Sequence, residues 1–100
     1  MHPAVHGSQH SVQAQSLAEA RVAIGGKTQR HRHHRSEELY HITAGQGTMT
    51  LDTESFPVTI GDTICIPPGT PHCIENTGDD ELVILCCCSP AYADADTELL

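Results

Sequence analysis

A chain of 100 residues has room for one domain, and at this length a large share of the surface stays exposed, so association with a second copy is unsurprising. Five Lys and Arg stand against 13 Asp and Glu, a formal charge of -8 that repels nucleic-acid backbones and anionic membranes and excludes both as partners. The longest apolar run, Leu82 to Cys88, falls far short of the roughly 18 residues of a membrane span, and MHPAVHGSQH lacks the apolar core of a signal peptide, so the chain reads as cytoplasmic.

Residues 1–15 are rich in His, Gln and Ser and are expected to form a flexible N-terminal arm. His2, His6 and His10 recur every four residues there, but Pro3 and Gly7 oppose the helix that would gather them. From Ser16 onward short apolar stretches alternate with turn residues, and no 3.6-residue period is sustained, which predicts an all-β domain over 16–90. Strands are expected near Leu17 to Ile24, Gln29 to His33, Glu38 to Ala44, Gly47 to Leu51, Phe56 to Ile60, Asp62 to Ile66, His72 to Asn76 and Glu81 to Cys88. Between them lie the turn-forming GG, DTES, GD, PPGTP and TGDD stretches. So many short strands favour a sandwich or barrel, whose closure removes exposed edges. The tail, residues 91–100, is acidic and ends in leucines; its pattern leaves disorder and packing along a partner chain equally open.

The five cysteines, Cys65, Cys73, Cys86, Cys87 and Cys88, are odd in number with three consecutive, a poor disulfide framework, so reduced thiols are expected. Cys86 to Cys88 read as small apolar strand residues. A soft metal or redox site would instead need Cys86 and Cys88 on one face with a third ligand.

The densest chemistry is HRHHRSEELYHITAG. Residues two apart on a strand share a face, so His31 and His33 point together while Arg30, Arg32 and His34 point away. Two adjacent imidazoles are half a metal site. Glu37 and Glu38 both compete to add a carboxylate. Placing Glu38 inward brings Tyr40, Ile42 and Ala44 with it, whereas placing Glu37 inward buries His41 and Thr43, so the apolar phase favours Glu38. Further on, GDTICIPPGTPHCIEN supplies His72 after a rigid turn built on Pro67, Pro68, Gly69 and Pro71. The candidate ligand set is therefore His31, His33, Glu38 and His72, with Tyr40, Ile42 and Ile74 expected to line a pocket beside it.

These two stretches resemble the cupin superfamily. Its first motif is glycine, five residues, His-x-His, three or four residues, Glu, six residues and glycine; here it is filled by Gly25, His31, His33, Glu38 and Gly45. The second, glycine, five residues, Pro-x-Gly, two residues, His, three residues and Asn, is filled by Gly61, Pro67, Gly69, His72 and Asn76. The spacing from Glu to Gly again selects Glu38. The resemblance implies a double-stranded β-helix, or jelly-roll barrel, of the small single-domain type, often a homodimer, with one divalent metal inside: manganese, iron, nickel, zinc or copper.

Three imidazoles and a carboxylate on a six-coordinate ion leave open positions for a small molecule, which predicts a metal-dependent enzyme of oxygenase type acting on a small organic substrate. The alternatives are a Lewis-acid isomerase or lyase of a sugar-like substrate, and a non-catalytic cupin that binds a small ligand. A phosphorylated substrate is disfavoured, because it wants an inward Arg or Lys and Arg30 and Arg32 alternate with the ligands.

Overall fold

The computed structural model of the protein describes residues 2–3 and 14–100. Ten strands are present among them: β1 (His2–Pro3), β2 (Ser16–Val22), β3 (His31–His33), β4 (Glu37–Ala44), β5 (Gln46–Leu51), β6 (Glu54–Thr59), β7 (Thr63–Ile66), β8 (His72–Asn76), β9 (Leu82–Ser89) and β10 (Thr97–Leu99). They form two five-stranded sheets in the orders β1-β2-β9-β4-β7 and β10-β3-β8-β5-β6, with antiparallel pairing throughout. This is the all-β architecture expected from the strand pattern, and the double-stranded β-helix implied by the resemblance. Among the described residues the one helical turn is a 3-10 turn at Asp94–Asp96, and no helix is long and apolar enough to cross a membrane.

Alternation along the strands builds the core. On β4, Glu38, Tyr40 and Ile42 are buried while Glu37, Leu39 and His41 are exposed, the period of two that a half-buried strand requires. Met49, Val58, Ile64, Ile66, Ile74, Leu82, Ile84 and Cys86 close the space between the sheets from the other strands. On the outer face, Leu17, Cys87, Leu39 and Cys65 are register partners across β2, β9, β4 and β7, and all four are exposed.

Turns set the register. Asn76 is buried at the end of β8, where its side-chain amide donates to the Val22 and Asp80 carbonyls at 2.9 and 2.8 Å and accepts from the Gly78 N–H at 2.9 Å. It thereby ties β2 to the TGDD turn. Gly45 follows an irregularity in β4 and has φ of +82°, and a Cβ added there would sit 2.6 Å from the Glu81 carbonyl oxygen. Gly45→Ala is therefore expected to destabilise by about 2–3 kcal/mol, from left-handed strain plus a backbone clash. Gly61 has φ of +91° but nothing within 4 Å of its added Cβ, so Gly61→Ala carries strain alone, about 1–2 kcal/mol. Urea midpoints of the two variants should differ; equal losses would refute the clash at Gly45.

The expected arm, residues 1–15, lies mostly outside the described residues, including His6 and His10; His2–Pro3 pairs with Ala18 and Glu19 of β2. For the tail, residues 91–100, which the sequence leaves open, the structure shows an ordered attachment to the chain's own barrel. Thr97–Leu99 forms an edge strand on β3 of the same chain, and Arg32 and His34 reach Glu98 at 2.7 and 3.2 Å. Oppositely charged side chains and edge hydrogen bonds, not an apolar period, hold it there.

Candidate metal centre

His31 and His72 are directly opposed on β3 and β8, His33 lies two residues along β3, and Glu38 enters from β4 in the facing sheet. The site is thus sandwiched between the sheets. Arg32, between the two histidines, turns outward. His33, Glu38 and His72 are 2 %, 1 % and 0 % exposed and His31 is half-buried, so the cluster opens past His31. One ligand atom from each of the four lies within 4.8 Å of the others. The structure therefore brings together all four residues singled out in the sequence, and leaves Glu37 exposed.

The hydrogen bonds orient these groups. His31 Nδ1–H donates to the Gln29 carbonyl at 2.8 Å, and His72 Nδ1–H to the Thr70 carbonyl at 2.9 Å. A carbonyl can only accept, so each neutral ring carries its proton on Nδ1 and presents a bare Nε2. His72 Nε2 is buried, has no hydrogen-bond partner, and faces Glu38 Oε1 at 3.3 Å. Glu38 Oε1 also lies 3.2 Å from His33 Nε2. A bare nitrogen lone pair against a buried carboxylate oxygen is repulsive unless a proton or a metal ion stands between them. The donor set fits a divalent metal ion on that ground.

Charge states suit the same purpose. Burial would raise the Glu38 pKa, but hydrogen bonding, to which the Cys88 thiol contributes, opposes it and holds the carboxyl below its ordinary value, so it stays ionised. Burial lowers the His31 pKa, against the hydrogen bond to Gln29, which extends its neutral, ligating form to lower pH. Cys86 and Cys88 share the inner face, register partners of Tyr40 and Glu38, and the Cys88 thiol donates to Glu38 Oε2 at 3.2 Å. Burial, reinforced by the Glu38 charge, pushes both thiols up, so both are protonated while no metal is bound to them.

Of the expected pocket residues, Tyr40 packs its ring edge-on against His72, 5.7 Å between centroids. Burial pushes its phenol well up, so it remains neutral. Ile42 and Ile74 are fully buried members of the apolar core. Three neighbours were not placed at this site by the sequence: Cys88, which was weighed only for a separate thiol site with Cys86, Tyr92, whose ring lies edge-on to His33 at 5.7 Å, and Thr97. For Cys88 the signal was available, since strand alternation puts it inward with Cys86; Tyr92 and Thr97 reach the site from a segment with no apolar period.

Residues 18–88 match the cupin domain family. The chain belongs to the cupins. This cupin is 59 % identical over 86 residues to an uncharacterized protein of Methanocaldococcus jannaschii, covering 86 % of the chain and 69 % of that protein. It is 31 % identical over 72 residues to an oxalate-binding protein of Thermotoga maritima, covering 72 % of the chain and 60 % of that protein. The crystal structure of a predicted oxalate decarboxylase from Thermotoga maritima superposes with a TM-score of 0.78 at 26 % identity, over 86 % of this cupin and 75 % of that chain. The family match ends at Cys88, so the C-terminal segment lies beyond it.

Proposed function

We propose that this cupin binds a small bidentate oxygen ligand, an α-dicarboxylate of which oxalate is the simplest, on a divalent metal held by His31, His33, Glu38 and His72. The observation that carries the reading is the buried His72 Nε2, bare and aimed at Glu38, in a cluster whose four donors converge. A divalent ion held by three neutral imidazoles and one carboxylate keeps a net positive charge and open positions, and it serves as a Lewis acid or, if redox-active, as an oxidant of bound ligand. An anionic chelator matches that charge.

The arginines beside the ligands are engaged elsewhere, which supports a chelating ligand over a phosphorylated one. Arg30 donates to the Asp52 carbonyl at 3.3 Å, and Arg32 pairs with Glu98 at 2.7 Å. The likeness to an oxalate-binding protein supports the same choice of ligand. With iron or manganese in the site, the expected chemistry is oxygenase-type oxidation of a small oxygen chelator, with an enol or a diol as further candidates. A Lewis-acid isomerase or lyase of a sugar-like substrate ranks behind it, since a phosphate finds no free arginine at the cluster.

Calorimetric titration of the manganese-loaded protein with oxalate is expected to show binding tighter than that of acetate and dependent on the metal. Oxalate binding no tighter than acetate, or unchanged in metal-free protein, would refute the ligand class. A dioxygen electrode separates the catalytic version from simple binding: uptake on adding oxalate, an enol or a diol supports an oxygenase, and none across such a panel excludes it.

A further inference from the structure

We propose that Thr97, on the C-terminal strand, is a positioning residue of the metal centre: its hydroxyl accepts the Nδ1–H of His33 and so turns the bare Nε2 of that ring toward the metal. The proposal rests on the metal-binding reading and deepens it.

Strand β10 runs along the ligand strand, with Thr97, Glu98 and Leu99 opposite His33, Arg32 and His31. Thr97 Oγ1 lies 3.0 Å from His33 Nδ1 and donates its single proton to the Ala93 carbonyl at 3.1 Å. With that proton committed, the hydroxyl can only accept from the ring, so His33 carries its own proton on Nδ1. All three ligand imidazoles then hold Nδ1–H on a partner and turn Nε2 inward, the His33 Nε2 lying 3.2 Å from Glu38 Oε1. Their partners differ in kind. His31 and His72 each use the carbonyl two residues earlier, so their orientation is built into the same short stretch. The His33 partner comes from 64 residues away. Among the three, His33 is the ligand whose setting depends on the end of the chain.

The contact is part of a longer fastening. The Asp96 carboxylate accepts from the backbone N–H groups of Arg35 and Ser36 at 2.9 and 3.1 Å, and its carbonyl accepts from the His34 N–H at 2.9 Å. Ser36, itself buried, donates through Oγ to the Pro90 carbonyl at 2.7 Å. The connection from His33 to Glu38 is thereby held along its length by residues 90–97, and Tyr92 covers the His33 ring edge-on. An imidazole has a broad torsional well about its ring bond, so a fixed partner on Nδ1 is what gives the ring one setting.

The test uses the full chain with Thr97→Val, which keeps the shape and removes the acceptor, and Thr97→Ser, which keeps the hydroxyl. Cobalt affinity is measured by competition with a chelator. Thr97→Val is expected to bind about 10–100-fold more weakly, the usual loss when an outer partner of a ligating histidine is removed, and Thr97→Ser to stay close to wild type. Nitrogen-15 spectra of the metal-free protein, at a pH where the rings are neutral, provide a readout that needs no metal and no variant. They are expected to place the His33 proton on Nδ1 in the wild-type chain. A proton on His33 Nε2, or equal weakening in both variants, overturns the proposal. Wild-type affinity in Thr97→Val sinks the proposal alone, whereas a wild-type chain that binds no cobalt sinks the metal reading and the proposal with it.

Discussion

Saturating the metal-free protein with zinc is expected to raise its melting temperature by about 15–30 °C. A ligand at a thousandfold excess over its dissociation constant stabilises the native state by about 4 kcal/mol, and each kcal/mol moves a domain of this size by roughly 4–8 °C. The physical source is specific. Without an ion, the barrel buries His72 Nε2 unpartnered and sets it 3.3 Å from the Glu38 carboxylate, an arrangement that desolvates both groups and gives little back. With an ion, the same lone pairs become bonds, and the unfolded chain has no equivalent site. His72→Ala removes one donor and is expected to abolish most of the increment. This variant also controls for zinc bound by other histidines, since those are unchanged. Scanning calorimetry of both proteins with and without zinc decides the matter; an increment of equal size in His72→Ala would place the stabilising ion somewhere else.

The site was legible because strand geometry and motif spacing carry the same information. A period of two puts His31 and His33 on one face and forces a choice between Glu37 and Glu38, and the apolar companions Tyr40 and Ile42 decide it; the structure buries Glu38 and exposes Glu37. The eight expected strands correspond to β2 through β9, because most of their connections carry Gly, Pro or Asp turn residues whose chemistry is local. Depth was not legible. Alternation shows that Ile42 and Ile74 point inward, but whether an inward side chain lines a cavity or fills the core depends on what faces it from the other sheet.

The C-terminal segment escaped for a different reason. Thr97–Leu99 is three residues long and lacks an apolar face, and its hold on β3 consists of edge hydrogen bonds, the Arg32–Glu98 pair and the Asp96 carboxylate on two backbone N–H groups. Such polar, long-range pairings leave no periodic trace, and they appear only once both strands are placed. The thiols lie between these cases. Alternation put Cys86 and Cys88 on one face, but only the register of β4 against β9 shows that Cys88 sits opposite Glu38 and donates to it.

Ile74→Ala is expected to cost about 2–5 kcal/mol, a large part of the roughly 5–15 kcal/mol that holds a small domain together. Ile74 is fully buried in the core, opposite Met49 on β5 and two residues from the ligand His72. Both of its backbone polar groups are held by Thr28, the N–H donating to Thr28 Oγ1 and the carbonyl accepting from the Thr28 N–H, each at 2.9 Å. A strand fixed in this way cannot shift to fill the void, which places the loss in the upper part of the range. The melting temperature should fall by about 10–30 °C, while the zinc-dependent increment persists, because His72 keeps its own anchor on the Thr70 carbonyl. A residue lining a ligand cavity would behave differently. Its truncation would enlarge the cavity, leave stability nearly unchanged and shift the preferred ligand toward a larger dicarboxylate. Thermal melts of Ile74→Ala alongside oxalate and malonate titrations separate the two roles, and a near-wild-type melting temperature with malonate now preferred would assign Ile74 to the pocket and not to the core.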